Sequence, residues 1–270
     1  MTLNALDLIQ QKIGDRKVEA AIVLGSGLSG LGDALKDKVV FSYAELAGFP
    51  GFGQNRGNVS GHGSDLLIGK MGAKSIAILT GREHYYEHGN AAAMRPALET
   101  VKALGAKTLL LTNSAGSLDE SVKPGHLMML KDHINYAGMN PLIGEPSDSR
   151  FVNMVDAYDP ELRMRAIKIA QEMDMPLKEG VYLWYSGPSF ETVAEIEMAI
   201  RLGANSVGMS TAPETIIARM LGLKVWACSG ITNMGAGMAN ETISHTQTKN
   251  VAATCAQKLE KLIPALVQTL

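Results

Sequence analysis

The feature that most constrains this chain is a repeated local pattern. A short apolar run ends in a glycine- or hydroxyl-rich turn, and a longer amphipathic segment follows. The runs cover 20–24, 75–79, 107–111, 127–130, 181–184, 205–207 and 224–227. They are short and mostly rich in Val, Ile or Leu, as strands buried on both faces are. The helical candidates are 91–104, 161–173, 191–202, 213–221 and 247 onward, and Val193, Ile196 and Ile200 share one face of the third. Gly105, Gly203 and Gly222 each follow a helical segment and precede a strand, where a C-terminal cap belongs. Leu3, Leu6, Ile9 and Ile13 add helical spacing near the N-terminus. The pattern predicts an α/β fold. No repeat, linker or change of composition divides the chain, so residues 1–270 are expected to form a single domain, with 137–159 as an irregular excursion over the surface.

Composition narrows the function classes. A chain of 270 residues with 46% hydrophobic content can bury a substantial core. A net charge of −2 gives no electrostatic footprint for nucleic acid. Cys228 and Cys255 form no CxxC pair, so a reducing, cytoplasmic compartment is expected. No window approaches the roughly 20 apolar residues of a membrane span, and the N-terminus lacks the apolar stretch of a signal peptide. A soluble protein with no membrane partner is expected.

The chemistry-bearing residues follow the strands. Gly25-Ser26-Gly27, Thr80-Gly81-Arg82, Thr112-Asn113-Ser114-Ala115-Gly116, Ser186-Gly187-Pro188-Ser189, Gly208-Met209-Ser210-Thr211 and Ser229-Gly230-Ile231-Thr232-Asn233 read as turns at strand ends. In open α/β sheets ligands bind just beyond the carboxyl ends of the strands, so these turns would converge on one rim.

Taken singly, the motifs leave alternatives open. Residues 25–30 fit GxGxxG, and Glu45 lies about 20 residues beyond the first glycine, as in a dinucleotide site. The same loop suits a single phosphate or a bare structural turn. His84-Tyr85-Tyr86-Glu87-His88 matches the zinc pattern HxxEH. Gly81 and Gly89 flank it, however, and leave no helix to carry the ligands. Arg82 offers a planar fork of donors suited to phosphate, and His84 adds a titratable donor. Glu191, at the start of a predicted helix, should be held ionised by the helix dipole. Alone it is more often an ordinary helix-start acid. Asn233 and His245, taken alone, are more often structural.

As an ordered set, these segments resemble the trimeric purine nucleoside phosphorylase family, which includes the methylthioadenosine phosphorylases. The resemblance rests on Gly25-Ser26-Gly27-Leu28, Gly61-His62-Gly63, Gly81-Arg82-Glu83-His84-Tyr85-Tyr86-Glu87 and Thr112-Asn113-Ser114-Ala115-Gly116. It continues through Lys131-Asp132-His133-Ile134-Asn135, Gly187-Pro188-Ser189-Phe190-Glu191-Thr192, Val207-Gly208-Met209-Ser210-Thr211 and Ile231-Thr232-Asn233. It implies a central mixed β-sheet flanked by helices, the nucleoside phosphorylase fold. It implies phosphorolysis of purine nucleosides and deoxynucleosides to free base and α-(deoxy)ribose 1-phosphate, in purine salvage. Phosphate is then a substrate, and no metal or organic cofactor is expected.

The resemblance also implies site residues. Phosphate would meet Ser26, Arg82, His84, Ser114, Ser210 and His62. The family usually has alanine where Ser114 stands, and a main-chain contact there tolerates the change. Ribose would meet Tyr86, Met209 and His245, with Phe151 contributed to the neighbouring site of a homotrimer. The base would lie near Ala115, Gly116, Phe190 and Val207, with polar contacts from Glu191 and Asn233. The catalytic set would be Asn233, Glu191 and His84. Glu191, Asn233 and His245 together favour inosine and guanosine over methylthioadenosine. Xanthosine would need a further donor, for which Tyr185 is near in sequence. Rival readings are a methylthioadenosine phosphorylase, a dinucleotide-dependent oxidoreductase and a non-catalytic nucleoside or phosphate sensor.

Overall fold

A computed structural model describes residues 4–25, 29–53, 63–239 and 245–270, without the side chains of Ser29, 245–247 and Lys249. The strands are β1 Ala20–Val23, β2 Lys36–Ser42, β3 Asp65–Met71, β4 Lys74–Leu79, β5 Thr108–Ser117, β6 Leu127–Asn135, β7 Leu177–Trp184, β8 Ser206–Gly208 and β9 Lys224–Met234. The helices are α1 Ala5–Ile13, α2 Tyr85–His88, α3 Arg95–Ala103, α4 Pro160–Glu172, α5 Val193–Arg201, α6 Ala212–Met220 and α7 His245–Gln268.

One mixed sheet runs β2-β3-β4-β1-β5-β8-β7-β6-β9. Strand β1 is parallel to β4 and β5, whereas β2, β3 and β4 pair antiparallel. Strand β9 also pairs with β5, so β5, β8, β7, β6 and β9 close into a ring. The two sheet faces follow from the two-residue period of a strand. Ala21, Val23, Val225 and Ala227 pack with α1, α3 and α6, while Ala20, Ile22, Trp226 and Cys228 pack with α4 and α7. Each fully buried Val, Leu or Ile in these layers contributes about 1.5–3 kcal/mol.

Two segments expected to be turns are strand instead. Residues 112–116 and 229–233 continue β5 and β9, which pair in parallel from Thr108↔Lys224 to Ser117↔Met234. The register shifts after Ala115↔Ile231, so Thr232 is the extra residue of a bulge. A ring gives the backbone of these polar residues partners that a free sheet end would lack. Strands β2 and β3 carry no uniform apolar run: β2 is an edge strand beginning Lys36-Asp37-Lys38, and β3 holds Gly69 and Lys70. Among the described residues, no helix is long and apolar enough to cross a membrane.

Candidate active site

A cavity of ≈ 410 Å³ opens where the strands of the ring end. Strand β5 lines it with Asn113, Ser114, Ala115 and Gly116, β8 with Val207 and Gly208, and β9 with Thr232 and Asn233. Gly25 comes from the segment after β1, Arg82 and His84 from that after β4, and Pro188, Phe190 and Glu191 from that after β7. Tyr86 of α2, Met209 and Ser210 after β8, and Thr248 and Ala252 of α7 complete the wall. Gly25 is packed so closely on β5 that a Cβ would lie 2.7 Å from Asn113 Cα and 2.9 Å from the Thr112 carbonyl oxygen. Its N–H is anchored by the Thr112 hydroxyl at 2.8 Å.

Arg82 is buried, with its side chain only 1% exposed. Its Nη1 donates to Glu214 Oε1 at 2.9 Å and to Thr211 Oγ1 at 3.3 Å. Its Nη2 donates to the carbonyls of Thr112 and Val23. The fork therefore faces the protein, while Arg82 still lines the cavity. A buried cation must be paired, and Glu214 in the first turn of α6 does this. The donor left over is Nε–H, buried without a hydrogen-bond partner among the described residues.

His84 is oriented from two sides. Its Nδ1 lies 3.1 Å from Glu87 Oε1, and its ring stacks on Tyr86 with centroids 4.8 Å apart. Burial works against the Glu87 charge, but hydrogen bonds from the His84 side chain and backbone hold its pKa below the ordinary value. The ionised carboxylate thus accepts from Nδ1–H and fixes the ring. Burial, then the Glu87 charge, pushes the Tyr86 phenol up to about 12, so it stays protonated. Gly187, at φ +71°, lets Met209 and Tyr86 close on the backbone: a Cβ there would sit 2.5 Å from Met209 Sδ and 2.9 Å from Tyr86 Cδ1.

Glu191 and Asn233 bring different chemistry. Helix α5 starts at Val193, and the Thr192–Glu195 capping box satisfies its N-terminus. Glu191 thus lies outside the helix, with Oε1 buried and without a partner among the described residues. Burial raises its pKa, a bond from its own N–H opposes this, and the Glu195 charge adds to the rise. The expectation of a dipole-stabilised carboxylate is corrected: Glu195 takes the helix end, and burial raises the Glu191 pKa. Asn233, re-aimed by the Thr232 bulge, accepts from Thr232 Oγ1 at 2.9 Å and donates one amide N–H to the Met234 carbonyl at 2.9 Å. An amide has a second N–H.

Such a cavity, with a buried cation in one wall and a carboxyl and an amide in others, invites comparison with known proteins. The model of the phosphorylase superfamily matches residues 19–268. Purine nucleoside phosphorylase 1 of Geobacillus stearothermophilus is 36% identical over 256 residues, 93% of this chain and 91% of that protein. The chain belongs to the purine nucleoside phosphorylase family. Crystal structures of Schistosoma mansoni purine nucleoside phosphorylase with inosine and with adenosine superpose at a TM-score of 0.89, at 32% identity, covering 98% of this chain and 95% of theirs. It is thereby an enzyme of the purine-nucleoside phosphorylase class, and its mixed sheet between helix layers is that family's fold.

The positions quoted for the family resemblance divide into three groups. Arg82, His84, Tyr86, Ser114, Ala115, Gly116, Phe190, Glu191, Val207, Met209, Ser210 and Asn233 all line the one cavity. Ser26, His62 and the side chain of His245 lie outside the described residues. Phe151 and Tyr185 do not line this cavity. Phe151 is 76% exposed, with the Arg150 guanidinium 5.0 Å from its ring. The Tyr185 hydroxyl is spent on the Glu195 carbonyl at 2.9 Å, which removes it as a purine donor. Unassigned from sequence were Asn113, Thr211 and Glu214, each linked to Arg82 directly or through one hydroxyl. The first two stand inside the quoted segments, so their location was available; their partners were not.

The rival motifs fare differently. Past 26–28 the GxGxxG segment enters a short 3-10 helix, Ser29–Ala34, and Glu45 ends another, Tyr43–Glu45, where a dinucleotide fold places an α-helix and a strand end. In HxxEH, His84 precedes the four-residue α2, and His88 Nδ1 lies 3.0 Å from Glu83 Oε1. Among the described residues, no three His, Cys, Asp or Glu side chains gather as a metal site.

Proposed function

We propose that this protein cleaves 6-oxopurine nucleosides, inosine and guanosine foremost, with inorganic phosphate, giving free base and α-ribose 1-phosphate, and acts on deoxynucleosides likewise. The observation that carries this reading is the meeting of Arg82, His84 and Ser210 with Glu191 and Asn233 in one cavity. Phosphate would take the Arg82 end, with the Nε–H of Arg82, the Ser210 hydroxyl, His84 and the Ser114 backbone as its donors. Ser26 and His62 would join from outside the described residues. Ribose would lie against Tyr86 and Met209, with His245 at its 5′-hydroxyl. The base would lie between Ala115, Gly116, Phe190 and Val207.

Breaking the C1′–N9 bond leaves positive charge on the sugar and negative charge on the purine. A phosphate held below C1′ stabilises the oxocarbenium-like sugar and then attacks with inversion. Such positioning can supply about 7–11 kcal/mol. The free amide N–H of Asn233 would bond N7 as charge grows on the base, a contact worth about 3–4 kcal/mol in the transition state. Glu191 would accept from N1–H, and from the 2-amino group of guanine. Forming that bond gives the unpartnered Oε1 a partner and favours ionisation of a carboxyl that burial otherwise opposes. Adenine presents a bare N1 acceptor and gains no such bond. Phosphate serves as co-substrate, and the chemistry calls for no metal or organic cofactor.

A homotrimer in which Phe151 closes the sugar site of a neighbour fits the outer surface. Ile143, Phe151 and Val155, along one excursion, are 77%, 76% and 71% exposed, and apolar exposure of that kind marks association surfaces. A cytoplasmic role in purine salvage is part of this reading, in keeping with the free thiols of Cys228 and Cys255.

The test is inosine cleavage with and without phosphate, identifying the sugar product, with adenosine and methylthioadenosine in parallel. Phosphate-dependent release with α-ribose 1-phosphate formed is the expected result. Release without phosphate would mean a hydrolase. Adenosine turnover equal to that of inosine would overturn the 6-oxopurine preference.

A further inference from the structure

Between Ser210 and helix α6 the backbone makes a reversal that few residues tolerate. Thr211 sits at φ +72°, ψ −47°, and the Ala212 N–H donates to the Ser210 carbonyl at 2.8 Å. This is a γ-turn of the positive-φ kind, rare and strained. A β-branched residue at positive φ is an outlier, whereas glycine would adopt it freely. The turn is pinned from behind, where the Thr215 N–H and hydroxyl donate to the Thr211 carbonyl at 2.9 and 2.8 Å. Strain of this kind persists where the surroundings over-determine it, and such places are often functional.

What the turn achieves is visible in the side chains. It sets the hydroxyls of two consecutive residues, Ser210 and Thr211, 3.1 Å apart. Thr211 Oγ1 accepts from Asn113 Nδ2 at 2.8 Å and from Arg82 Nη1 at 3.3 Å. A hydroxyl has two acceptor positions and one proton. With both acceptor positions taken by groups that can only donate, the Thr211 proton is left for Ser210 Oγ. Ser210, having accepted, keeps its own O–H for the cavity it lines or for the Tyr182 hydroxyl beside it, and a phosphate in the cavity would compete for that proton. Its backbone N–H already donates to the Tyr182 hydroxyl at 3.2 Å.

We propose that Thr211 is a positioning residue of the anion end: its hydroxyl fixes Ser210 as a hydrogen-bond donor into the cavity and ties that donor to Arg82. The inference rests on the reading that phosphate binds there. Thr211 itself is fully buried and acts through its neighbours.

The experiment is calorimetric titration of the full chain with inorganic phosphate, beside steady-state cleavage of inosine. Thr211→Val, which keeps the shape and loses the hydroxyl, should weaken phosphate binding and raise KM for phosphate by about tenfold or more, the scale of a hydrogen bond to a charged group. KM for inosine should stay within about twofold, and Thr211→Ser should keep phosphate binding within about threefold. In a Ser210→Ala background, Thr211→Val should add about threefold at most, because the two act as one unit. Unchanged phosphate binding in Thr211→Val, equal losses in Thr211→Ser, or effects that multiply in the double variant would each overturn the proposal. If Thr211→Val does not fold, Thr211→Ala against Thr211→Ser carries the same comparison. A wild-type chain that binds no phosphate would overturn the phosphate reading itself, and the proposal with it.

Discussion

Arg82 and Glu191 are both ionisable groups in the wall of one cavity, and they are held on opposite terms. Arg82 has a buried counter-ion, Glu214, and its four Nη hydrogens are matched by two side chains and two carbonyls. Its neighbours stand on β1 and β5 and at the start of α6. Glu191 lies on the segment between β7 and α5 beside Phe190, which is 42% exposed, and its buried Oε1 has no partner among the described residues. The comparison teaches that the two ends carry different liabilities. The Arg82 end is tied into the fold, so altering it costs stability as well as function. The Glu191 side keeps an unmet hydrogen-bonding demand that a purine can meet, so altering it should cost discrimination and little stability.

Four substitutions would break or sharpen that contrast. Glu214→Ala has the largest expected effect, because it strands the buried Arg82 charge. Denaturant unfolding should show a loss of about 3–5 kcal/mol, and a loss near zero would mean that Arg82 is not held by this pair. Asn233→Ala should lower inosine turnover by about two orders of magnitude, or about 3 kcal/mol, against a stability loss of about 1 kcal/mol for its bonds to Thr232 and Met234. Near-normal turnover would remove its role at the leaving base.

Glu191→Gln should narrow the preference for inosine over adenosine about tenfold, or about 1.4 kcal/mol; an unchanged ratio of kcat/KM would place base recognition elsewhere. The same variant tests the pKa. A carboxyl raised in the fold stabilises the protein below its ordinary pKa, and that contribution is lost as pH rises through the raised value. The Tm of Glu191→Gln should therefore exceed that of the wild type at neutral pH, and the gap should close on acidification. A gap that widens in acid would reverse the assignment. Smallest is Phe151→Ala, far from both groups in this chain. A rise of about threefold in KM for nucleoside, or about 0.7 kcal/mol, is expected with the oligomer intact by sedimentation. No change would put that ring outside the sugar pocket.

Much of the frame was legible beforehand. The starts of β1, β4, β5, β6 and β9 follow from apolar runs, and helices α3 to α6 from amphipathic spacing, because those signals are local. Segments 112–116 and 229–233 look like turns in sequence because their hydroxyl and glycine residues are loop chemistry. Their strand character depends on β5 and β9 pairing across the ring. Edge strand β2 has no continuous apolar run to announce it, and Glu191 falls outside α5 because Thr192 and Glu195 make the better cap.

The sequence by itself determined the residue types at the strand ends, their order, and through them the family and its α/β layers. Only the tertiary structure decided how those residues share their hydrogen bonds. Arg82 and Glu214 are 132 residues apart in the chain, and nothing local to either announces that the fork turns inward. The same holds for the Thr211 hydroxyl, whose acceptor positions are filled by a strand end and by the residue chosen from sequence to bind phosphate. Composition and spacing fix what a side chain can donate or accept. Which partner it meets depends on the path of the whole chain, because a hydrogen bond extends about 3 Å while the sequence separations it bridges have no such limit.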